Sequence, residues 1–243
     1  MELKGKKVLV TGGTGFIGRH LVKRLVEERC KVASLSEKPQ LGIIKKDLVK
    51  DDLSDISGFD VVFHLAGSTD LRAIEENPEI AFNSNVTGTF RLLEALRKYN
   101  KNLEKFIFLS SSSVYGDAKV PVKEDSELKP VGFYGMSKLL AENICVNYRD
   151  TYGMPIIIVR AFNVYGPGMN EFSLIPKAIK TILKNDKFNV YNEEVTRDFI
   201  FIQDLIDGLI NVSTKAKLDT YNIGSGQETK IGDLIKEIQK GIK

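Results

Sequence analysis

A tyrosine and a lysine spaced four residues apart, Tyr134 and Lys138, begin a segment with helical periodicity. Residues at this spacing share one face of a helix, so their side chains are expected to be neighbours. An ammonium next to a phenol stabilises the phenolate and lowers the pKa of the phenol, which allows acid–base chemistry near neutral pH. A run of serines at 110–113 follows a strand pattern and supplies hydroxyls that can hold a substrate oxygen against that phenol. Taken alone, these residues also fit an ordinary surface pair beside a serine-rich loop.

A glycine-rich segment, TGGTGFIG at 11–18, lies between an apolar strand pattern and a helical one. Glycine is required where the backbone turns sharply, where amides approach a pyrophosphate and where the helix packs on the strand. The helix N-terminus adds unpaired N–H groups and the positive end of its dipole. This context favours a dinucleotide site over a plain strand–helix turn. Together with Tyr134, Lys138 and the serine run, it indicates hydride transfer at a carbinol carbon.

The end of the second strand pattern bears on the type of dinucleotide. Many dinucleotide sites place an acidic residue there, which binds the 2′-hydroxyl of the adenosine ribose. Ser36 takes that position here and is followed by Glu37 and Lys38. Ser36 would tolerate a 2′-phosphate and Lys38 would attract one, whereas Glu37 would repel it. Lys38 is equally explained as a solvated loop charge, so at this point NAD and NADP both stay open.

Apolar runs of strand length alternate with segments of helical period, which predicts a doubly wound parallel sheet of the Rossmann type, an α/β fold. The predicted strands lie at 7–10, 31–35, 43–47, 61–65, 106–109, 156–159, 188–191 and 220–223, with another opening the segment 199–210. The predicted helices lie at 16–28, 78–99, 133–152, 174–183, the rest of 199–210, and from Ile231 onward. In such a sheet, the glycine loop and the serine run share the carboxyl edge of the strands, where a dinucleotide binds.

The alternation loosens beyond Gly166, which suggests a division of the chain. The predicted dinucleotide-binding core spans 1–165, and 192–213 return to it. A small, discontinuous and apparently shortened substrate lobe is predicted at 166–191 and 214–243. The stretch at 165–170, which carries Gly and Pro, is the candidate crossing between the two.

Composition excludes several classes of protein. The chain has 243 residues, of which 42% are hydrophobic, and 35 Lys+Arg against 32 Asp+Glu give a net charge of +3. It therefore has enough apolar residues for a core, and without a basic block it gives no reason to expect nucleic acid. No apolar run approaches the ~20 residues that span a membrane, and the first residues lack the pattern of a signal peptide. Cys30 and Cys145 are isolated, so neither a disulfide nor a metal site is expected, and a cytoplasmic location is predicted.

A series of ordered segments resembles the extended short-chain dehydrogenase/reductase superfamily, within its NAD(P)-dependent nucleotide-sugar epimerase/dehydratase group. The matching segments are TGGTGFIG at 11–18, DL at 47–48, DVVFHLAG at 60–67, NVTGTFRLLEA at 85–95, SSSSVYG at 110–116, YGMSK at 134–138, RAFNVYGPG at 160–168, TRDFIFIQD at 196–204 and YNIGSG at 221–226. They cover almost the whole chain, and together they are highly specific.

The resemblance implies roles by position. The implied catalytic residues are Ser111, Tyr134 and Lys138. The implied cofactor-binding residues are Gly12, Gly15, Phe16, Ile17, Gly18, Ser36, Asp47, Leu48, Leu65, Ala66, Gly67, Asn85, Tyr134 and Lys138. The residues implied for a nucleotide-sugar substrate are Ser112, Asn163 and Arg197. Arg197 suits the diphosphate, although an exposed structural arginine is the alternative. The family also implies a homodimer through the helices at 77–99 and from 133, with a monomer as the alternative.

The residues after Ser111 narrow the reaction that the resemblance implies. Nucleotide-sugar 4,6-dehydratases carry Asp-Glu directly after the catalytic Thr, whereas this chain has Ser112 and Ser113, which cannot exchange protons near neutral pH. Reductases that invert carbons 3 and 5 have a cysteine where Ser113 lies. The resemblance therefore implies a 4-epimerase of the UDP-glucose 4-epimerase type, with NAD as cofactor and a UDP-linked substrate. A nucleotide-sugar or ketone reductase and a non-catalytic dinucleotide-binding protein are the alternatives.

The chain also departs from this family pattern. Full-length relatives continue with further substrate-lobe segments after the helix that begins at Ile231, and the segment between Ser36 and Asp47 is short. Three explanations stay open: a naturally short member, a truncated chain, or a protein that has lost turnover.

Overall fold

The structure, a computed structural model, describes residues 2–37, 43–184 and 186–242. Its strands are β1 (Lys7–Thr11), β2 (Lys31–Ser36), β3 (Ile43–Lys45), β4 (Val61–His64), β5 (Lys105–Ser111), β6 (Ile156–Ala161), β7 (Asn163–Tyr165), β8 (Thr196–Arg197), β9 (Phe199–Phe201), β10 (Thr220–Ile223) and β11 (Thr229–Lys230). Its helices are α1 (Phe16–Glu27), α2 (Leu71–Glu76), α3 (Glu79–Ala81), α4 (Gly88–Tyr99), α5 (Gly132–Tyr152), α6 (Leu174–Leu183), α7 (Ile202–Lys215) and α8 (Ile231–Ile242).

In the described part of the chain, seven strands form one sheet in the order β10-β6-β5-β4-β1-β2-β3, and every neighbouring pair is parallel. The predicted Rossmann-type α/β fold is confirmed. The central strands form because their residues are apolar on both faces: β4 and β6 are buried along their whole length. The chain reverses its direction of winding between β1 and β4, and sheets of this kind bind ligands at such a switch point.

Helices cover both faces of the sheet. On one face, α1 and α7 pack through Leu21, Leu25, Leu205 and Leu209 against the strands. On the other face, α4 and α5 pack against β5 and β6, with Leu92, Leu96, Ala141 and Cys145 in the core. Both cores hold the strands rigidly, so the loops at the carboxyl edge start from fixed points.

A smaller cluster lies beside this sheet. β8 and β11 pair antiparallel, and Ala178 of α6 packs with Ile231 and Ile235 of α8. The prediction that 214–243 belong wholly to a small lobe is wrong for β10, because Thr220–Ile223 is the edge strand of the main sheet beside β6. The rest of the predicted division stays a prediction.

The predicted strand at 188–191 is also wrong. The structure has irregular backbone there, and Phe188 and Val190 pack against the α6–α8 cluster. Their apolar spacing reflects this packing and not pairing with another strand. The short elements α2, β7, β8 and β11 were not predicted.

The predicted helix at 78–99 forms, but with an irregular middle. Residues Phe82–Thr87 adopt a π-helical turn between α3 and α4. A π turn inserts an extra residue into the helix and shifts the faces on either side, and such turns frequently mark functional sites. This one carries Asn85.

Among the described residues, each helix is too short or too polar to traverse a lipid bilayer. In the same part of the chain, no group of three His, Cys, Asp or Glu side chains is placed to hold a metal ion.

Candidate active site

The glycine loop at 12–15 forms the turn between β1 and α1 at the carboxyl edge of the sheet. Gly12 has a φ of +71°, which residues with side chains rarely adopt, and a Cβ there would lie 2.8 Å from the backbone nitrogen of Ala66. A Cβ at Gly18 would collide with the carbonyl oxygen of Gly12. These two glycines therefore allow β1, α1 and the loop after β4 to approach closely.

Gly15 has a different environment. It is exposed and caps α1, and a Cβ there would meet the carbonyl oxygen of Gly12 at 3.2 Å. In the part of the chain that the structure describes, the capping residue Gly15 makes no side-chain hydrogen bond to the first backbone amides of α1. Helical geometry leaves the amides of Phe16, Ile17 and Gly18 without an intrahelical acceptor. The open turn and these amides fit the diphosphate of a dinucleotide.

Three residues predicted to meet the adenosine end follow β2 and β3. Ser36 Oγ lies 2.7 Å from Thr14 Oγ1 of the glycine loop. The Asp47 carboxylate accepts backbone hydrogen bonds within its own turn, and Leu48 is buried in the core under α4. Ser36 therefore contacts the glycine loop, while the Leu48 side chain faces the core. The adenosine contacts predicted for Ser36, Asp47 and Leu48 stay predictions. Lys38 lies outside the described residues.

Asn85 connects the loop after β4 to α5. Its Oδ1 accepts from Ser68 N at 2.7 Å, and its Nδ2 donates to Ser68 O at 3.1 Å and to Ser137 Oγ at 2.9 Å. The side chain is thus occupied within the protein, and its predicted cofactor contact stays a prediction. The residues predicted to line the cofactor from this loop are the half-buried Leu65 and Ala66 and the exposed Gly67.

His64, which the sequence places in an apolar strand pattern, is fully buried, and both of its ring nitrogens are hydrogen-bonded. Thr89 Oγ1 donates to the Asn85 carbonyl at 2.6 Å, so it accepts from His64 Nε2 at 2.9 Å. His64 Nδ1 must then be the unprotonated nitrogen, and it accepts from Thr11 Oγ1 at 2.7 Å. Thr11 Oγ1 in turn accepts from Ala66 N at 3.2 Å. This chain of hydrogen bonds links the glycine loop, the loop after β4 and the π turn.

Burial, assisted by the positive charge of Lys138, lowers the pKa of His64 to about 3. Below pH 6.5 the unfolded chain binds a proton that the folded protein excludes, so acid should destabilise the fold until the pH falls through about 3. We expect His64 to contribute a slope of up to about 1.4 kcal/mol per pH unit to the free energy of unfolding in that window. Urea unfolding at a series of pH values measures it.

The matched control is His64→Gln, which offers a donor and an acceptor but does not titrate. It should be less stable at pH 7 and lose this part of the slope. Equal slopes for the two proteins would contradict the assignment of a neutral, buried imidazole.

Ser111, Tyr134 and Lys138 converge at the end of β5. The Ser111 hydroxyl lies near enough to the Tyr134 phenol to lower its pKa, and it donates to Ser113 Oγ at 3.1 Å. Lys138 is 7% exposed and donates from Nζ to the Leu109 carbonyl at 2.6 Å. The structure thus brings together the three side chains predicted to be catalytic.

The predicted effect of Lys138 on Tyr134 is not what the structure shows. Burial raises the pKa of Tyr134, and the nearby Ser111 hydroxyl is what opposes this rise. Burial lowers the pKa of Lys138 itself to about 8, against the attraction of Glu142. At neutral pH, the phenol is therefore a proton donor beside a buried lysine that is still mostly charged.

A cavity of about 1250 Å³ extends from the serine run toward the β8–β11 pair. The residues predicted to bind a nucleotide sugar, Ser112, Asn163 and Arg197, all line it. Asn163 donates to the Asp198 carbonyl at 3.0 Å, and the exposed Arg197 donates to the Thr196 carbonyl at 2.7 Å. The cavity and its hydroxyl, amide and guanidinium groups suit a large polar ligand.

Asp198 is a further wall residue that the sequence analysis did not single out, although it lies in the TRDF motif. Its carboxylate accepts from the backbone of Ser225 and Gly226 at 2.8 and 2.9 Å, and from Ser225 Oγ at 2.8 Å. It thereby fixes the loop after β10 against the cavity.

Comparison with known proteins agrees with this geometry. A family model described as the NAD dependent epimerase/dehydratase family matches residues 8–224. The chain is 32% identical to an uncharacterised UDP-glucose epimerase of Bacillus subtilis, over 96% of this chain and 82% of that protein. It is 31% identical to a GDP-6-deoxy-D-mannose reductase of Pseudomonas aeruginosa, over 95% and 78%. The UDP-glucuronic acid 4-epimerase of Bacillus cereus, solved with UDP-glucuronic acid and NAD, superposes with a TM-score of 0.87 at 31% identity and covers 96% of this chain and 82% of its own.

The fold, the glycine loop and the Ser/Tyr/Lys set define an NAD-dependent enzyme of the extended short-chain dehydrogenase/reductase type. The chain belongs to the NAD-dependent epimerase/dehydratase family. The predicted family, enzyme class and NAD cofactor are confirmed. The roles of the individual site residues stay predictions.

Proposed function

We propose that this protein is a nucleotide-sugar 4-epimerase that acts on a UDP-linked sugar. The observation that carries this proposal is the wall beside Ser111, where Ser112 and Ser113 line the cavity with hydroxyls alone. Water elimination would need an acid and a base at these two positions. Three carboxylates lie elsewhere on the wall. Those of Asp198 and Glu228 already accept hydrogen bonds from Ser225 and Thr196, and Asp117 follows Ser111 by six residues, so it does not occupy either of these two positions. The site therefore suits oxidation and reduction of one carbinol carbon.

Each residue then has a definite task. Ser111 holds the oxygen of the reacting hydroxyl against Tyr134. The Tyr134 phenol, protonated at neutral pH in the protein without cofactor, must first lose its proton; as the phenolate it takes up the substrate proton during oxidation and returns it during reduction. Bound NAD supplies the acceptor and donor of hydride at the sugar carbon. Arg197 and Asn163 bind the nucleotide diphosphate end, so that the sugar alone is free to turn within the cavity. A held nucleotide and a mobile sugar suit an epimerase, which must present both faces of one sugar carbon to the cofactor.

The decisive test is turnover with a catalytic amount of cofactor. The purified protein is incubated with UDP-glucose, UDP-N-acetylglucosamine or UDP-glucuronic acid and a substoichiometric amount of NAD, and the products are separated by chromatography. An epimerase should give the 4-epimer without net change in NADH absorbance. A parallel assay supplies stoichiometric NADH and a 4-keto nucleotide sugar; consumption of one NADH per product there, without epimer formation in the first assay, would favour the reductase, the activity named for the Pseudomonas relative. Binding of NAD with no turnover would indicate the non-catalytic protein. The predicted cytoplasmic location stays a prediction.

We further propose that the protein forms a homodimer through α4 and α5. Phe133, Met136 and Leu140 follow an i, i+3, i+7 spacing on α5 and are 58%, 45% and 37% exposed. Beside it, Phe82 at the start of the π turn and Phe90 of α4 are 53% and 46% exposed. Adjacent exposed apolar stripes of this kind are typical of protein interfaces.

Sedimentation at micromolar concentration should therefore show a species of twice 27.2 kDa. Phe90→Glu should shift it toward the monomer, because a charge would be buried at the interface. Leu218→Glu, at a residue 62% exposed outside these helices, is the matched control and should remain a dimer. A parent protein that sediments only as a monomer would contradict the proposal.

A further inference from the structure

Three consecutive residues at the end of β5 each contact a residue on one face of α5. Leu109 accepts from Lys138, Ser110 donates to Glu142, and the Ser111 hydroxyl lies close to the Tyr134 phenol. Tyr134, Lys138 and Glu142 are spaced four residues apart and share that face. Glu142 is the member of this series to which no role has yet been assigned.

Glu142 is fully enclosed and its charge is matched by an arginine from the next strand. Its side chain is 3% exposed and that of Arg160 is 6% exposed. Arg160 donates through Nε at 3.1 Å to Oε1 and through Nη2 at 2.8 Å to Oε2. Ser110 and Arg160 are register partners on β5 and β6, so both strands hold the carboxylate. This bidentate pairing fixes both the position and the orientation of the Glu142 carboxylate.

The same arginine extends the connection to the cavity. Arg160 Nη1 donates to Tyr115 OH at 2.8 Å and to the Glu124 carbonyl at 2.9 Å, and Tyr115 OH donates to Asn222 Oδ1 at 2.7 Å. Tyr115 and Asn222 line the cavity. Hydrogen bonds thus connect the buried Glu142–Arg160 ion pair to the wall of the cavity.

A buried ammonium is stable only with a compensating charge nearby. The Lys138 ammonium lies 4.6 Å from the centre of the Phe108 ring and donates to the Leu109 carbonyl. The titratable groups that interact with it are Glu142 and Cys145 on its own helix and His64 from β4, while Arg160 from β6 acts through Glu142. The imidazole is neutral and Cys145 is a buried thiol, whose pKa burial raises. Of these groups, Glu142 is the one that carries a compensating negative charge, and Arg160 interacts with the same carboxylate.

We propose that Glu142 is a positioning residue for the reaction proposed above: clamped by Ser110 and Arg160, it keeps the Lys138 ammonium charged and fixed one turn from Tyr134. This role rests on the proposed function, because it matters for turnover only if Lys138 serves the Tyr134 chemistry. The charge state of Lys138 itself can be measured without turnover.

The test follows the ¹³Cε signal of Lys138 by NMR in lysine-labelled protein, with Lys138→Arg to assign it. Glu142→Gln should lower the pKa of Lys138 from about 8 by at least about one unit, a tenfold change in protonation. Arg160→Gln should raise the pKa of Lys138, because Arg160 then no longer draws on the negative charge of the Glu142 carboxylate. Loosened packing would instead hydrate the lysine and raise its pKa in both variants. Shifts in the same direction, or no shift, would overturn the proposal.

Glu142→Gln leaves a buried arginine without its partner and can fail to fold. The double variant Glu142→Gln/Arg160→Gln removes both charges together. Compared with Arg160→Gln alone, it should show a Lys138 pKa lower by at least about one unit. An equal pKa in these two proteins would overturn the role of Glu142.

Turnover adds a separate readout. If Lys138 must be charged, the rate should fall as the pH rises through its pKa, and the basic limb of the pH profile should move to lower pH in Glu142→Gln. An unshifted basic limb in an active Glu142→Gln enzyme would contradict the proposal. A parent protein that turns over no UDP-sugar would refute the proposed function, while the NMR titrations would still decide whether Glu142 keeps Lys138 charged.

Discussion

Tyr134→Phe should reduce turnover of the UDP-sugar by about 10²–10⁴-fold, the usual cost of removing a positioned proton-transfer group. The substitution removes one oxygen, whose neighbour in the structure is the Ser111 hydroxyl. The ring and the backbone carbonyl, which accepts from Ser137 Oγ at 2.8 Å, remain. NAD affinity should therefore be nearly unchanged. Steady-state kinetics and calorimetry with NAD measure the two effects separately.

Two further substitutions calibrate this result. Ser111→Ala should cost less than Tyr134→Phe, because Ser113 Oγ lies 3.1 Å from the hydroxyl that is lost. Lys138→Met should weaken both rate and NAD binding, since it removes a buried ammonium from the same site. Full activity in Tyr134→Phe would defeat the acid–base role of this residue.

Much of the fold could be predicted because its signals are local. The strands of the main sheet are short apolar runs between turn residues, and α1 and α5 begin where the glycine loop and the segment before Tyr134 end. The topology of a parallel sheet then places Gly12, Ser111 and the loop after β4 at one edge without further information. For the same reason, the meeting of Ser111, Tyr134 and Lys138 followed from sequence.

The features that escaped prediction depend on partners distant in the chain. Phe188 and Val190 alternate as a strand would, but no neighbouring strand in the described residues pairs with them, and they pack on helices instead. Thr220–Ile223 was recognised as a strand, yet its place beside β6 is a property of the sheet and not of the segment.

Buried polar residues were the hardest to interpret for a related reason. His64 and Glu142 lie within apolar strand and helix patterns, and the partners that define them come from other elements. The expectation that Lys138 lowers the pKa of Tyr134 failed because spacing gives proximity but not desolvation. Here burial raises the pKa of Tyr134, and the effect that opposes it comes from Ser111 and not from Lys138.

Gly15→Val should weaken NAD binding at least about 100-fold, or about 2.7 kcal/mol, while the protein remains folded. Gly15 has a φ of −70°, which any residue adopts, and a Cβ there would meet the Gly12 carbonyl oxygen at 3.2 Å, a tight contact that a shift of a few tenths of an ångström would relieve. The branched side chain would instead project over the first amides of α1, where the diphosphate must approach.

The matched control for this substitution is Gly18→Ala, whose added Cβ would collide with the Gly12 carbonyl inside the loop. It should lower the melting temperature more than Gly15→Val does, because its Cβ collides more severely, whereas Gly15→Val should abolish the increase in melting temperature that NAD produces in the parent. Calorimetry and thermal unfolding with and without NAD distinguish the two. If Gly15→Val bound NAD as tightly as the parent, the diphosphate would have to lie elsewhere than on this loop, and the assignment of the amides of Phe16, Ile17 and Gly18 would be wrong.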